Sequence, residues 1–277
     1  MKLNSRALIL TLLCACLLVV STVGAQEVLP DLFVLEDGEP ITSELDVNNV
    51  LHAQLYSFNA TEGDAVTITM ISMDEDWLDP FLLLFGPSGQ LLVVNDDSAG
   101  SSNSQISDYE VPESGNYYVL ASSYDMIFTM SELGADLVAL SDDEEMVKFE
   151  LMVEGNNDSG EEHQFEVIEV GDSTEIEITE DAPIGYVVFE AEEGDTITLY
   201  ANSDDVDTLL YLFDTDGNLV AVNDDVDFEI GEINSEIADF DVQIDGVYLA
   251  FVTVVGYDTT LLGEPEFDTG VIEFTVE

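Results

Sequence analysis

One pattern occurs twice in this sequence of 277 residues, and the repeat constrains the fold more than any other feature. Residues 79–97 read DPFLLLFGPSGQLLVVNDD and residues 207–225 read DTLLYLFDTDGNLVAVNDD, with 10 of 19 positions identical at an offset of 128. The flanking segments match at an offset of 131, so the loops differ in length while the apolar segments keep their order. Two copies of one domain behave in this way, because loops tolerate insertion better than packed elements do.

The repeat predicts two domains, since its period is too long for a solenoid and each copy is close to the commonest domain size. The first domain is expected at 26–153 and the second at 165–277, after a leader at 1–25. The polar segment 154–164, rich in Gly and Asn, is expected to be a linker that buries nothing, so that each domain folds alone. In the first domain SELGADLVAL (131–140) has no counterpart and is predicted to form a short helix.

Apolar runs predict β-strands in both copies. AVTITMI and TITLYA alternate with period two, whereas FLLLF and LLYLF are continuous and suit a strand buried on both faces or at a sheet centre. GPSG and DTDGN supply the turns before the return strands. FELMVE and IEFTVE close the two copies and are predicted to be edge strands. The predicted fold class is all-β, with two tandem antiparallel β-sandwiches of jelly-roll-like form.

The first 25 residues have the pattern of a secretory signal peptide. Lys2 and Arg6 precede an apolar run, and cleavage is expected after Ala25. LCAC also resembles a bacterial lipoprotein signal in which Cys16 is lipidated, and an uncleaved anchor is a third option, although the run is short for one. A secreted or cell-surface location is therefore expected. Cys14 and Cys16 are the only cysteines, so a chain cleaved after Ala25 has no disulfide.

Acidic residues greatly outnumber basic ones. The chain has 61 Asp and Glu against 3 Lys and Arg. Lys2 and Arg6 lie in the leader, so Lys148 alone remains and the cleaved chain has a net charge of 1 − 61 = −60. Such a chain cannot bind phosphates through Lys and Arg, which excludes nucleic acid, and an anionic membrane surface repels it. Cations, cationic polymers and neutral surfaces remain as partners, while adaptation to high salt would also explain the composition.

The repeated motifs resemble the bacterial pre-peptidase C-terminal (PPC) domain. That family's pattern is an aromatic–x–Ala strand, a Gly-Asp turn, an Asp-led apolar strand, a Gly hairpin, Asn-Asp-Asp and a final Gly-x-Tyr strand. The resemblance implies a jelly-roll β-sandwich of the kind that usually trails a secreted peptidase and is similar to collagen-binding and carbohydrate-binding modules. No peptidase accompanies the modules in these 277 residues, so they are expected to act alone or for a separate partner. The matching residues are Gly63, Asp64, Gly89, Asn95, Asp96, Asp97, Gly115 and Tyr117 in the first copy and Gly194, Asp195, Gly217, Asn223, Asp224, Asp225, Gly246 and Tyr248 in the second.

The sequence contains no recognisable catalytic motif. His52 lies before a strand and His163 lies in the linker, and neither recurs in the other copy or lies near a matched Ser or Cys motif. Carboxylates are too abundant for any pair of them to indicate glycoside hydrolysis. The chain is therefore predicted not to be an enzyme. DTDGN does not fit an EF-hand, because Leu219 occupies the position of the turn Gly, and a hairpin turn is favoured.

The Asn-Asp-Asp triplets are the candidate metal sites. Each follows an apolar strand, and the hairpin should bring it close to the Asp that opens the same hairpin. Clustered carboxylates repel one another unless a cation or backbone N–H groups satisfy them. Calcium is the cofactor considered, and an Asx-type turn that bonds its own backbone is the alternative. The candidate ligands are Asp79, Asn95, Asp96 and Asp97 in the first copy and Asp207, Asn223, Asp224 and Asp225 in the second.

Trp77, the only tryptophan, is the candidate ligand-binding residue because an exposed loop Trp can stack on a sugar ring or an aromatic partner. A plug over the end of the sandwich is the alternative. The expected function is that of a non-enzymatic binding or surface-association protein, with an insoluble polymer or a secreted or surface protein as partner. Two alternatives stay open: a calcium-bridged structural or adhesive component of the envelope, and an accessory factor of a separately encoded secreted peptidase.

Overall fold

The chain folds into β-strands arranged in four sheets, as seen in a computed structural model that describes residues 33–73, 78–98, 102–126, 137–138, 145–158, 165–224, 233–257 and 267–277. The prediction of an all-β fold with antiparallel sandwiches is confirmed. The strands of the first sandwich are β1 (Phe33–Val34), β2 (Ile41–Asp46), β3 (Gln54–Ala60), β4 (Ala65–Ser72), β5 (Pro80–Phe85), β6 (Leu91–Asn95), β7 (Ser104–Glu110), β8 (Gly115–Ser123) and β10 (Met146–Glu154). The second sandwich contains β9 (Leu137–Val138), β11 (Glu166–Val167), β12 (Ser173–Ile178), β13 (Gly185–Ala191), β14 (Thr196–Asn202), β15 (Thr208–Phe213), β16 (Leu219–Asn223), β17 (Ser235–Asp241), β18 (Gly246–Val254) and β19 (Gly270–Val276).

Each sandwich has an inner sheet and an outer sheet. The inner sheets have the strand orders β1-β3-β8-β5-β6 and β11-β13-β18-β15-β16-β9, and the outer sheets have the orders β2-β10-β4-β7 and β12-β19-β14-β17. Neighbouring strands are antiparallel except for the short parallel pairs β1-β3 and β11-β13. The same strand order therefore occurs in both copies of the repeat, apart from the added strand β9.

The prediction of edge strands at the end of each copy is wrong, because β10 and β19 lie inside the outer sheets. β10 pairs with β2 on one side and β4 on the other, and β19 lies between β12 and β14. Their alternating pattern arises because one face of the sheet packs on the core: Phe149 and Leu151 are fully buried, whereas Lys148 is exposed. Alternation thus reports a solvated face and not an edge position.

The two inner sheets pack against each other, so their strands are buried on both faces. The runs FLLLF and LLYLF form β5 and β15, which are buried along nearly their whole length, as their continuous apolar character predicted. Leu55 and Tyr118 of the first sandwich belong to the apolar cluster that forms the core of the second. The Tyr118 ring lies 5.2 Å from the ring of Tyr186 and 6.2 Å from that of Phe251. The sequence analysis did not foresee this contact.

The hairpin turn of each inner sheet reaches across to the other sandwich. Gly89 has φ +91°, and a Cβ there would lie 2.8 Å from the Ile184 side chain; Gly217 has φ +80°, and a Cβ there would lie 2.8 Å from the Leu55 carbonyl oxygen. Both positions need glycine for the left-handed backbone and for the close approach. Asp214 to Asn218 forms the turn between β15 and β16, which confirms the hairpin interpretation of DTDGN.

Main-chain hydrogen bonds join the second turn to β3. Leu55 N donates to Gly217 O at 2.9 Å, and Leu219 N donates to Ala53 O at 3.0 Å. Gln54 and Asn218 lie opposite each other between these bonds, as a non-hydrogen-bonded antiparallel pair. The side chains of this pair are also hydrogen-bonded to each other, since Gln54 Nε2 donates to Asn218 Oδ1 at 2.7 Å. The turn of the first sandwich is bonded to the second sandwich in return, since Tyr257 Oη donates to Gly89 O at 2.5 Å.

The insertion of the first copy contributes to the second sandwich. Residues 137–138 form β9, which pairs antiparallel with β16, so the predicted helix is wrong at these two positions. The remainder of 131–140 lies outside the described residues, as do the signal peptide, Cys14 and Cys16, His163, and positions 159–164 of the predicted linker. In the part of the chain that the structure covers, no helix is long and apolar enough to cross a membrane.

Candidate functional site

The asparagine of each Asn-Asp-Asp triplet ties its own strand to the next one. Asn95 Oδ1 accepts a hydrogen bond from Gln105 N at 2.8 Å, and Asn223 Oδ1 accepts one from Glu236 N at 2.7 Å. These two bonds are equivalent at the offset of the repeat. The amide oxygens that were considered as calcium ligands are thus used by backbone N–H groups, and they fix the start of β7 and of β17 against the end of the hairpin.

The aspartates of the first triplet lie close enough to Asp79 to affect its ionisation. The pKa of Asp79 is raised, first by desolvation and then by the negative charges of Asp97, Asp125 and Asp96. The hairpin accounts for this proximity. Asp79 directly precedes β5, the triplet begins at the end of β6, and the pairing of these two strands places Leu82 opposite Asn95. This end of the first sandwich therefore concentrates carboxylates that repel one another.

The corresponding end of the second sandwich is described only in part. Asp207 O accepts a hydrogen bond from Val255 N at 2.9 Å, as Asp79 O accepts one from Tyr124 N at 2.9 Å. Asp224 O accepts a bond from Ser235 Oγ at 3.4 Å. Asp225 and the candidate ligand-binding residue Trp77 lie outside the described residues.

A cavity of about 210 Å³ opens at the acidic end of the first sandwich. It is several times larger than the volume of one water molecule, ~30 Å³. Five parts of the chain meet there: the turn after β2, the segment before β3, the residue that precedes β5, the end of β8 with the turn that follows it, and the residue that precedes β10. The lining residues are Val47, Asn48, His52, Asp79, Ser123, Asp125 and Glu145.

Two hydrogen bonds hold the imidazole of His52 in this cavity. Its Nδ1 lies 2.5 Å from Asn49 O, and its Nε2 lies 2.5 Å from Ser123 Oγ. Because a carbonyl oxygen only accepts, Nδ1 carries the proton and Nε2 accepts from the Ser123 hydroxyl, which also accepts from Met126 N at 3.1 Å. Burial lowers the pKa of His52, although the Asn49 carbonyl and the charges of Asp125 and Asp46 oppose this effect.

The described residues of the second sandwich do not repeat this polar cavity wall. At the offset of 131, Pro183 replaces His52, Val254 replaces Ser123 and Gly256 replaces Asp125. A hydrogen bond from a side-chain hydroxyl to the backbone next to these positions occurs in both halves: Ser122 Oγ donates to His52 O at 3.2 Å, and Thr253 Oγ1 donates to Pro183 O at 2.7 Å. The framework is thus repeated, whereas the polar lining is specific to the first half.

Sequence reasoning missed His52, Ser123, Asp125 and Glu145 as a group. His52 and Ser123 are 71 positions apart, and Asp125 and Glu145 belong to the region of the first copy that has no match in the second. The available signal was this departure from the repeat, since residues that differ between two copies of one framework mark where the copies have diverged.

The described residues contain no group of three or more His, Cys, Asp or Glu placed to hold a metal ion. The acidic end as described is a region of negative charge that surrounds a cavity, with its carboxylates spread over several elements. It offers acceptors to a cationic group that brings its own donors, such as an ammonium or a guanidinium.

Comparison with known proteins finds a family model that matches part of the chain. Residues 52–123 match the family model of the bacterial pre-peptidase C-terminal domain. This match lies within the first sandwich and begins and ends at the two residues, His52 and Ser123, that face each other in the cavity. No curated protein matches the chain.

Several solved structures resemble the chain at low identity. The pre-peptidase C-terminal domain of collagenase from Bacillus anthracis has a TM-score of 0.32 and 14% identity, and the match covers 41% of this chain and 95% of that one. A protein from Eubacterium rectale that is described as secreted has a TM-score of 0.23 and 13% identity, with 85% of this chain and 72% of that chain covered. The CUB1-EGF-CUB2 domain of human MASP-1/3 has a TM-score of 0.19 and 8% identity, covering 86% and 99%.

Proposed function

We propose that this chain is a secreted, non-enzymatic binding protein whose first, PPC-like sandwich holds cationic groups of a partner in the acidic cavity. The second half is a further module of the same type. The observation that carries the proposal is the cavity itself, which collects Asp79, Asp125 and Glu145 from separate elements around one space. Its volume is far larger than one ion needs, so the side-chain head of a Lys or Arg on a surface protein or polymer suits it better than a bare metal.

Charge supports this assignment. The chain has 61 acidic and 3 basic residues, which attracts cationic partners over its whole surface and repels anionic ones. Attraction by the whole acidic surface would not direct a cationic group to one particular site. Selection requires a place where the cation loses water against fixed acceptors, and the half-enclosed cavity with its oriented His52–Ser123 pair provides one.

The test compares two pairs of substitutions that remove the same charge. Asp125→Asn with Glu145→Gln should weaken retention on immobilised polylysine by about tenfold or more, because it removes acceptors inside the cavity. Glu154→Gln with Glu190→Gln removes two exposed carboxylates elsewhere and should leave retention nearly unchanged. Acetylated polylysine reports binding that does not depend on charge. Equal retention by the two double variants would overturn the cavity as the binding site.

Calcium is a second candidate ligand, and the crowding of Asp79, Asp96 and Asp97 is the observation that favours it. Calcium prefers 6–8 oxygen ligands at roughly 2.3–2.6 Å, so bound calcium would draw these carboxylates together with water and backbone carbonyls. Calcium should then raise the melting temperature more than magnesium does at equal concentration. The double variant Asp97→Asn, Asp225→Asn should lose that difference and keep the stabilisation common to both ions. Equal shifts from the two ions would leave the triplets as turns.

A further inference from the structure

Among the described residues, strand β6 is an edge of the first inner sheet that only β5 pairs with, although Tyr257 Oη accepts a hydrogen bond from Leu91 N at its start. Proteins usually blunt an edge with charged residues, proline or a very short strand. Among the described sheets, the edge strands β2, β7, β12 and β17 each contain Asp or Glu, and β1, β9 and β11 are only two residues long. β6 reads LLVVN over Leu91–Asn95, without charge or proline. Within the described residues, it pairs only with β5.

The equivalent edge in the second sandwich is covered. β9 adds to β16 in antiparallel register, with Val138 opposite Ala221 and Leu137 opposite Val222. The matching positions of β6 are Val93 and Val94, at the offset of 128. The difference in burial is clear: Ala221 and Val222 are at most 1% exposed, whereas all five residues of β6 are only partly buried. One copy of the repeated edge thus shows what occupies such an edge, and in the other copy no further described strand pairs with it.

We infer that β6 is a docking edge for an extended segment of a partner protein, which adds as an antiparallel strand in the way that β9 adds to β16. Main-chain hydrogen bonds would supply affinity, and alternate side chains would supply specificity. Apolar residues such as Leu and Val fit opposite Val93 and Val94, since Leu137 and Val138 take those places on β16.

Charge sets the other half of the specificity. β6 runs toward Asp96 and Asp97, so an antiparallel partner strand begins beside these carboxylates. Its N-terminal end should therefore carry Lys or Arg, followed by the apolar pair. A second copy of this chain is a poor occupant, because its own net charge of −58 opposes close approach. The partner is thus a protein with a basic-then-apolar extended segment.

Two labelled peptides test the inference on the full chain. The first is KKADLVAL, which places two lysines before a copy of residues 135–140, and the second is ADLVALKK, which has the same composition and the lysines at the other end. The first peptide should bind more tightly in fluorescence anisotropy, and it should slow amide hydrogen exchange at 91–95. Equal affinity of the two peptides, or protection that falls outside β6, would overturn the inference.

A matched pair of substitutions locates the contact. Val94→Lys places a cation on the half-buried edge. It should weaken binding of the first peptide by about tenfold, the effect of losing one or two hydrogen bonds of a strand pair. Val34→Lys makes the same change on the short edge strand β1, where Val34 is 65% exposed, and should have no effect. Loss of binding in both variants, or in neither, would contradict docking at β6.

The inference does not depend on the cavity, and the variants separate the two. In the variant Asp125→Asn with Glu145→Gln, the first peptide should still slow amide exchange in β6, because main-chain pairing with that strand does not use the cavity carboxylates. A loss of peptide binding in that variant, together with full binding in Val94→Lys, would assign the peptide to the cavity and overturn the docking edge. Self-association that appears on adding salt and is abolished by Val94→Lys would also overturn it, because the occupant would then be a second copy.

Discussion

Tyr118 is the residue whose removal most clearly reveals whether the two sandwiches act as one body. It lies on β8 of the first sandwich, is fully buried, and contacts the rings of Tyr186 and Phe251 in the second. Truncation of a buried aromatic side chain to Ala costs about 3–5 kcal/mol. For a protein of this size each kcal/mol shifts the melting temperature by about 2–4 °C, so Tyr118→Ala should lower it by ~6–20 °C. Tyr124→Ala, a change at a residue that is 44% exposed, serves as the control and should shift it little.

Amide hydrogen exchange shows which strands lose stability in the Tyr118→Ala variant. If the inner sheets share a core, Tyr118→Ala should speed amide exchange in β18 of the second sandwich as well as in β8 of the first, because the two open together. Thermal unfolding followed by circular dichroism gives the size of the effect, and exchange mass spectrometry gives its location. The reasoning is refuted if faster exchange stays confined to the first sandwich, or if the melting temperature falls no further than in Tyr124→Ala.

Three further predictions concern ionisation and the repeated asparagines. Burial lowers the pKa of His52 below its unfolded value of 6.5, so the unfolded chain takes up a proton first and stability should fall as pH drops below about 6.5; His52→Gln should remove that part of the slope in denaturant unfolding. With 61 acidic residues the melting temperature should rise with salt, since screening acts within ~10 Å at 0.1 M, and a flat response from low to molar salt would exclude repulsion as a significant term. Asn223→Ala should cost about 1–3 kcal/mol of unfolding free energy and Asn95→Ala less, because Asn223 is only 3% exposed; equal costs would contradict burial as the cause.

Local pattern was enough to predict the long apolar strands and the hairpins between them. The runs of β5 and β15 are continuous because both faces are buried, and Gly89 and Gly217 mark turns that only glycine fits at that approach. The same continuity suited a strand buried on both faces, with something covering its second face, or a strand at a sheet centre. It could not identify the cover, because apolar side chains pack on any apolar surface of suitable shape.

Long-range placement was not predictable from pattern. β10 alternates like an edge strand but is central, since alternation depends on solvent at one face and not on the number of neighbouring strands. β9 is two residues long, too short for periodicity to register. The cavity was missed for a related reason: His52 precedes β3 and Ser123 ends β8, 71 positions later, and nothing local links them.

The contact between the two sandwiches can be tested most directly with an engineered disulfide. Gln54 and Asn218 form a non-hydrogen-bonded antiparallel pair, whose Cα atoms lie about 4.5 Å apart in such pairs, within the range that a disulfide spans. In a chain with Cys14→Ser and Cys16→Ser, the double variant Gln54→Cys, Asn218→Cys should form an intramolecular disulfide on mild oxidation. Thiol titration and a reducible shift on a non-reducing gel would report it. The control variant Glu190→Cys, Asn218→Cys should keep both thiols free. If the variant Gln54→Cys, Asn218→Cys also keeps two free thiols after oxidation, the packing of the inner sheets is contradicted.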